Sequence, residues 1–395
     1  MKSFLITLHR WLGLPLGLLF VVTFGTGFIT AIDELVKRQT QAQFDRAYNY
    51  RATSIQEDAA ALEALAQAHQ GISRMQLPTP EAPYYQAASR GETWTYPIGN
   101  LTQPVHDTRE ENVFFATVLQ LHRNFLLGRE GLWGIEGKYL AAWVGLIALA
   151  LSLLGLWIWW PLRKSFALKD VVPRGLKRKH FYFSHMTSGV IVLLAIVIFS
   201  LTGAAITYRS IAQSLFSVEQ DANQGNFAVK SVGKSWPAWL LAAYAEMPEG
   251  ARLTEVRYPR QPKPRAAGER SSPERHTGAK RQQDSAPESK VLLFRFSTAD
   301  DWFNLARSEV SIDPLSATMV GARQFADFPL REKLYLLLMP LHTGKGLPMS
   351  YLVLQLFFSL CGTLMVASGV LSFIAKQRRK AKPRQIKDAL IAARA

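Results

Sequence analysis

The sequence predicts a helical membrane protein with four transmembrane helices, two outer α+β segments and an internal two-fold repeat. Three observations carry that prediction. Four apolar runs, at 12–32, 139–161, 186–208 and 349–375, can each cross a hydrocarbon core of about 30 Å at about 1.5 Å per residue. Two long polar stretches, 33–138 and 209–348, alternate with pairs of those runs. Histidine, glycine and threonine also recur at matched places in the two halves of the chain.

The first run follows a short N-terminus, 1–11. Residues 1–30 could pass for a secretory leader, but "FGTGFITAIDE" offers no small-residue cleavage site and the run is long for a leader. A retained anchor is expected. The second run leads into a basic loop, 162–185, in which "PLRKSFALKDVVPRGLKRKH" carries seven Lys and Arg. The fourth leads into a basic tail, 376–395, in which "KQRRKAKPR" carries six. Basic flanks stay on the cytoplasmic side, so both termini are expected inside and both polar stretches outside. Trp159 and Trp160, just before Pro161, suit an interfacial belt.

The formal net charge is +16 over 395 residues, and it clusters beside the apolar runs. It therefore reports topology and contact with anionic membrane lipid, and no nucleic-acid partner is expected. The single cysteine, Cys361, lies within the fourth run, so no disulfide can form within the chain. It reads as a small packing residue.

Each outer stretch opens with a helical pattern, "SIQEDAAALEALAQAH" in one and "WPAWLLAAYAEM" in the other. Strand-like pieces follow in the second: "RLTEVRYP", "KVLLFRFS" and "RSEVSIDPLSATMVGARQF", the last turning at Asp313-Pro314-Leu315-Ser316. Two small α+β modules fit this pattern. Residues 261–290 have no apolar period and are rich in Pro, Ser, Arg and Lys, as a disordered insertion would be.

The repeat is clearest in the first and third runs. "HRWLGLPLGLLFVVTFGTG" and "HMTSGVIVLLAIVIFSLTG" each begin with His, have Gly four residues on, and end in Thr-Gly. Eighteen residues at about 100° each make about five turns, so His9 and Gly27 share a helix face, as do His185 and Gly203. Glycines on a histidine-bearing face leave room for a flat group or for close helix packing. The outer stretches repeat as well: "LQLHRNFLLGREGLWG" precedes the second run and "MPLHTGKGLP" the fourth, each reading as a histidine loop.

Four of the eight histidines thus stand out: His9 and His185 toward the inner side, His122 and His342 toward the outer. Ionisable residues at membrane depth are costly and mark functional sites. Paired histidines from different helices are a common way for a bundle to hold haem iron. No C-x-x-C-H motif is present, so such a haem would be noncovalent, hence haem b. Arg10, Arg123 and Lys345 lie close in sequence to these histidines and suit haem propionates. His180 stands five residues before His185 and remains an alternative ligand. His69, His106 and His276 read as ordinary surface residues.

With "LHRWLGLPLGLL", "LHRNFLLG" and "LHTG" in a four-helix frame with paired outer modules, the chain resembles the PepSY-associated transmembrane family of iron-regulated inner-membrane proteins. Within it the chain is most similar to FoxB-type siderophore reductases. The resemblance implies periplasmic PepSY-like modules, two bound haems b, and reduction of ferric siderophore on the periplasmic side. By motif it carries over to His9, His122 and His342, while "FSHMTSG" is the poorest match and leaves His185 against His180 open. Electrons would come from quinol or a cytoplasmic reductase, because no G-x-G-x-x-G at a strand–helix junction marks a dinucleotide site. Two other readings stand beside it. One is a general b-type cytochrome with another electron acceptor. The other is a haem-free anchored protein whose modules bind or inhibit periplasmic peptidases.

Overall fold

A computed structural model describes residues 2–89, 92–106, 112–218, 228–258 and 291–392. In chain order the helices are α1 (Lys2–Asp45), α2 (Ile55–Ala68), α3 (Val113–Asn124), α4 (Gly137–Trp159), α5 (Arg178–Thr207), α6 (Arg209–Leu215), α7 (Trp236–Ala245), α8 (Leu330–Thr343) and α9 (Met349–Ala392). The strands are β1 (Arg74–Gln76), β2 (Tyr84–Ser89), β3 (Glu92–Pro97), β4 (Val105–His106), β5 (Lys230–Ser231), β6 (Arg252–Arg257), β7 (Leu292–Ser297), β8 (Ser308–Asp313) and β9 (Thr318–Arg323). The chain divides into two compact units: Met1–Thr40, Glu110–Val218 and Leu330–Ala395 in one, Gln41–Arg109 and Glu219–Pro329 in the other.

The first unit is a helical bundle. Four of its helical stretches are long and apolar enough to cross a membrane: Ser3–Asp45, Gly137–Ser165, Arg178–Thr207 and Met349–Arg378. α5 packs against both α4 and α9, and α3 packs on α4. Phe20, Val144, Leu151 and Val366 form one buried cluster, and Val192, Ile196 and Cys361 another. Cys361 is buried and unpaired, consistent with a packing role. Several threonines inside the helices turn their hydroxyls onto carbonyls of their own preceding turn, as Thr23 does with Leu19 at 2.9 Å and Thr363 with Ser359 at 2.9 Å. Those polar groups are thereby satisfied without a second helix.

The second unit is one antiparallel sheet of nine strands, ordered β4-β3-β2-β1-β6-β7-β8-β9-β5. Two modules are expected from sequence; instead the strands of both outer stretches share this sheet. The join is the β1–β6 pair, where Met75 faces Val256. The two halves have the same element order, helix then four strands, α2-β1-β2-β3-β4 and α7-β6-β7-β8-β9. α2 and α7 pack together over one continuous core containing Leu62, Met75, Leu240, Val256, Phe294 and Ile312. The physical reason for the merger lies in that core: each half has one helix to cover its strands, and pairing places both helices over one apolar face.

Local chemistry explains several elements. Ser54 and Glu57 form a reciprocal capping box at the start of α2. β7 buries Leu292, Phe294 and Phe296 in strict alternation. The β8–β9 hairpin turns where expected, with Asp313 accepting from the Leu315 N–H at 2.9 Å and the Ser316 hydroxyl at 2.8 Å. The insertion expected at 261–290 lies outside the described residues. Both sequence segments read as histidine loops instead carry their histidine on a helix, His122 on α3 and His342 on α8.

Candidate functional site

Four histidines of the bundle unit come together as two pairs. His9 on α1 meets His185 on α5, with ring centres 6.1 Å apart and planes at 65°. His122 on α3 meets His342 on α8, with ring centres 6.2 Å apart and planes at 41°. His180 is not the partner of His9: it packs beside Gly175, where a Cβ would lie 3.5 Å from its ring. The pairs stand at opposite ends of the bundle. His9 and Gly27, like His185 and Gly203, are 18 residues apart, or about 27 Å along a helix. Gly27 and Gly203 are the residues against which the second pair rests.

Glycine makes room for every one of these rings, though not always as the sequence suggests. A Cβ on Gly27 would sit 3.5 Å from His122 Cε1, and one on Gly203 would sit 2.9 Å from His342 Cε1. These glycines therefore serve the opposite pair, not the histidine of their own helix. The first pair is served by two glycines that sequence reasoning missed. A Cβ on Gly155 of α4 would lie 3.3 Å from His9 Cε1, and one on Gly369 of α9 would lie 2.7 Å from His185 Nδ1. Their only sequence signal is a small residue within an apolar run, which helix packing explains equally well.

A cavity of about 530 Å³ surrounds the first pair, and all four spanning helices line it. That lies within the range of about 300–1,000 Å³ usual for cofactor pockets. Most of its wall is apolar, and its charged lining is wholly basic: Arg10, Arg178 and Lys376. Arg178 and Lys376 were missed in the sequence because both sit in runs of charge that topology alone accounts for. Trp159, expected in an interfacial belt, also lines the cavity, and its Nε1 is buried without a hydrogen-bond partner among the described residues. His9 Nδ1 is likewise buried with no well-formed hydrogen bond; the Leu151 carbonyl is the backbone group it interacts with. His185 Nδ1, by contrast, donates to the Met365 carbonyl at 2.7 Å.

The second pair is held by threonines: Thr26 Oγ1 lies 3.0 Å from His122 Nδ1, and Thr202 Oγ1 lies 3.1 Å from His342 Nδ1. Burial pulls the His122 imidazole below its ordinary pKa, and burial followed by the neighbouring His122 pulls His342 down to about 4. Both rings are therefore neutral at pH 7, the form that binds metal. Arg123 is exposed, and its charge acts on both rings of the pair. Lys345 is exposed on the loop after α8, where its backbone N–H bonds Thr343 Oγ1 at 3.3 Å. Arg38 of α1 fixes that loop: it donates to the Leu347 carbonyl at 2.7 Å and the Gly344 carbonyl at 2.5 Å, and bonds Glu34 at 3.1 Å.

The remaining histidines do other things. His69 stacks on Trp94 at 3.9 Å and bonds the Tyr96 hydroxyl. His106 lies in the two-residue strand β4, and His276 falls outside the described residues.

These residues fit haem. Two metal–imidazole bonds of about 2.0–2.1 Å, each nitrogen about 1.1 Å from its ring centre, set facing rings about 6.3 Å apart. The observed 6.1 and 6.2 Å match that separation. Among the described residues no three His, Cys, Asp or Glu gather as a cage for a bare ion. Two axial histidines suit an iron whose other ligands come from a macrocycle. The first cavity adds the space, the cations and the Trp159 indole N–H, which has no hydrogen-bond partner among the described residues.

No curated protein matches the chain. A family model described as the PepSY-associated TM region matches residues 6–376, which take in all four spans, both histidine pairs and the sheet. The chain is a multi-pass membrane protein of the PepSY-associated TM family.

Proposed function

We propose that this chain is a di-haem b reductase of the bacterial inner membrane, similar to the FoxB-type siderophore reductases, that delivers electrons to the periplasmic face and reduces ferric siderophore. The observation that carries this reading is the spacing within the two pairs, 6.1 and 6.2 Å between ring centres, repeated at the two ends of one bundle. His9 and His185 would hold one iron, His122 and His342 the other. Bound haem supplies one-electron redox chemistry, with a potential set by axial ligands, burial and hydrogen bonding.

The chain's own residues supply the rest. Arg10, Arg178 and Lys376 would pair with propionate carboxylates at the first site, and the Trp159 indole N–H is a further donor there. The apolar lining excludes water from the rings. Arg123 gives the second site a cation. The pairs are about 27 Å apart along the helices, close to the thickness of a hydrocarbon core of about 30 Å. A carrier of electrons across a membrane needs that arrangement. The basic stretches at 162–185 and 376–395 follow the ends of α4 and α9 that line the first cavity, which argues for a cytoplasmic first site and cytoplasmic termini. β1 and β6 belong to one sheet although two spans separate them, as expected if both outer stretches lie on one side.

The reaction is a one-electron transfer: quinol or a cytoplasmic reductase gives up the electron, and siderophore-bound Fe(III) becomes Fe(II). Hard oxygen ligands hold Fe(II) much less tightly, so the metal is released. The test is a reduced-minus-oxidised optical spectrum of the detergent-purified full chain, with a pyridine haemochrome assay, in cells supplied with haem. About two haems b per chain, followed by reduction of a ferric siderophore from dithionite-reduced protein, is the expected result. Protein without haem overturns it, and a haem-free anchor for peptidase-binding modules would then account for the chain better.

A further inference from the structure

A Thr-Gly pair closes the repeat in both α1 and α5. Thr26 and Thr202 each stand seventeen residues after a histidine, His9 and His185, and directly before Gly27 and Gly203. Each approaches a histidine of the second pair through the same atoms, Oγ1 to Nδ1, at 3.0 and 3.1 Å.

Counting protons assigns the donor and the acceptor. A threonine hydroxyl has one proton and two lone pairs. Thr26 turns that proton back onto its own helix, to the Val22 carbonyl at 2.6 Å and the Thr23 carbonyl at 3.2 Å. Thr202 does the same with the Ile198 carbonyl at 2.7 Å and the Phe199 carbonyl at 3.4 Å. With that proton in use, only a lone pair is left for the imidazole. Each Nδ1 therefore faces an acceptor, the threonine lone pair, which requires that it carry the ring proton. His185 reaches the same tautomer by another route, through the Met365 carbonyl.

We infer that Thr26 and Thr202 are positioning residues that hold His122 and His342 as Nδ1–H tautomers, leaving both Nε2 atoms as the ligating nitrogens and making them more basic. The tautomer follows from hydrogen bonds alone; its effect on a bound iron rests on the proposed haem binding. An acceptor on Nδ1–H moves electron density toward Nε2 and favours the ferric state. Removing the hydroxyl therefore raises the midpoint potential of the second site.

Two readouts test this on the full chain in lipid nanodiscs. The first is nitrogen NMR of isotope-labelled histidine, with His122 and His342 assigned by substitution. Protons on both Nδ1 atoms are expected. Thr26→Val should shift the His122 Nδ1 resonance alone, Thr202→Val that of His342 alone, and Thr26→Ser and Thr202→Ser should restore the wild-type positions. The second is a redox titration of haem-loaded protein. Each valine variant should raise the midpoint of one haem and leave the other in place. Thr30→Val, which removes a hydroxyl bonded to the Gly27 carbonyl, should change neither. Protons on Nε2 in the wild type, or valine variants that leave the paired ring unchanged, overturn the inference. If a valine variant fails to fold, the wild-type and serine spectra still decide the tautomer. Absence of haem would count against the proposed function while leaving the NMR result to stand or fall by itself.

Discussion

The two histidine pairs share a ring separation and differ in almost everything that holds it. His9 and His185 stand on spanning helices, beside a cavity of about 530 Å³, and one ring has a poorly satisfied Nδ1. His122 and His342 stand on the short helices α3 and α8, and both rings are tied to a threonine of a spanning helix. The first pair has room and loose orientation; the second has its orientation fixed by neighbours. A pocket of the first kind depends on what fills it. A site of the second kind is largely formed beforehand, so its properties depend more on the hydrogen bonds behind the rings.

The largest test of that contrast removes one ring from each pair. If the pairs hold haem as proposed, His185→Ala and His122→Ala should each lower the haem content by about half, measured by pyridine haemochrome. His180→Ala should leave the spectrum unchanged. Loss of both haems from either variant would mean that the pairs are not independent sites.

A smaller effect separates the glycines. Gly369→Ala would put a Cβ 2.7 Å from His185 Nδ1, whereas Gly27→Ala would put one in ordinary contact at 3.5 Å from His122. Gly369→Ala should displace His185, lower haem content at the first site and cost about 1–3 kcal/mol of stability. Gly27→Ala should keep both haems. Thermal melts with haem spectra read both outcomes.

Arg38→Ala reaches the second pair only through its loop. It removes bonds to the Leu347 and Gly344 carbonyls, at a cost of about 1–3 kcal/mol. The haem signal of the second site should broaden or fall while that of the first stays. Trp159→Phe should have the least effect: the indole N–H has no hydrogen-bond partner among the described residues to lose, so a weakening of haem binding at the first site by about 0.5–1.5 kcal/mol would report a bond to the proposed cofactor itself.

The bundle was readable from sequence because a span announces itself within about 20 residues. The repeat of histidines was also readable, since both members of each motif lie within one run. The partners were not. Nothing near Gly155 or Gly369 in the chain says that a ring from another helix lies against it, and Arg178 is hidden in a basic loop that needs no further explanation. The sheet was half legible. β6 to β9 have clear alternation and a marked turn, but β1 has three residues and β4 and β5 two each, too short for a period to show. α3 and α8 passed for loops because each mixes apolar residues with the glycine-rich stretch that follows it. Their helical state is settled by packing, which composition does not report.

The β1–β6 seam has a consequence for how the molecule is made. Met75 meets Val256 across 181 positions of chain, with two membrane spans between them. Synthesis at about 5–20 residues per second leaves the first strand without its partner for roughly 10–35 s. Through that interval β1 to β4 form a small sheet with β1 at its open margin, the kind of edge that recruits foreign strands. The three-residue length of β1 limits that hazard, because so short a margin offers little to pair with. Biogenesis is then governed by the second half of the chain: until α7 and β6 arrive, the first half waits, and a chain truncated before them should be found by proteases rather than folded.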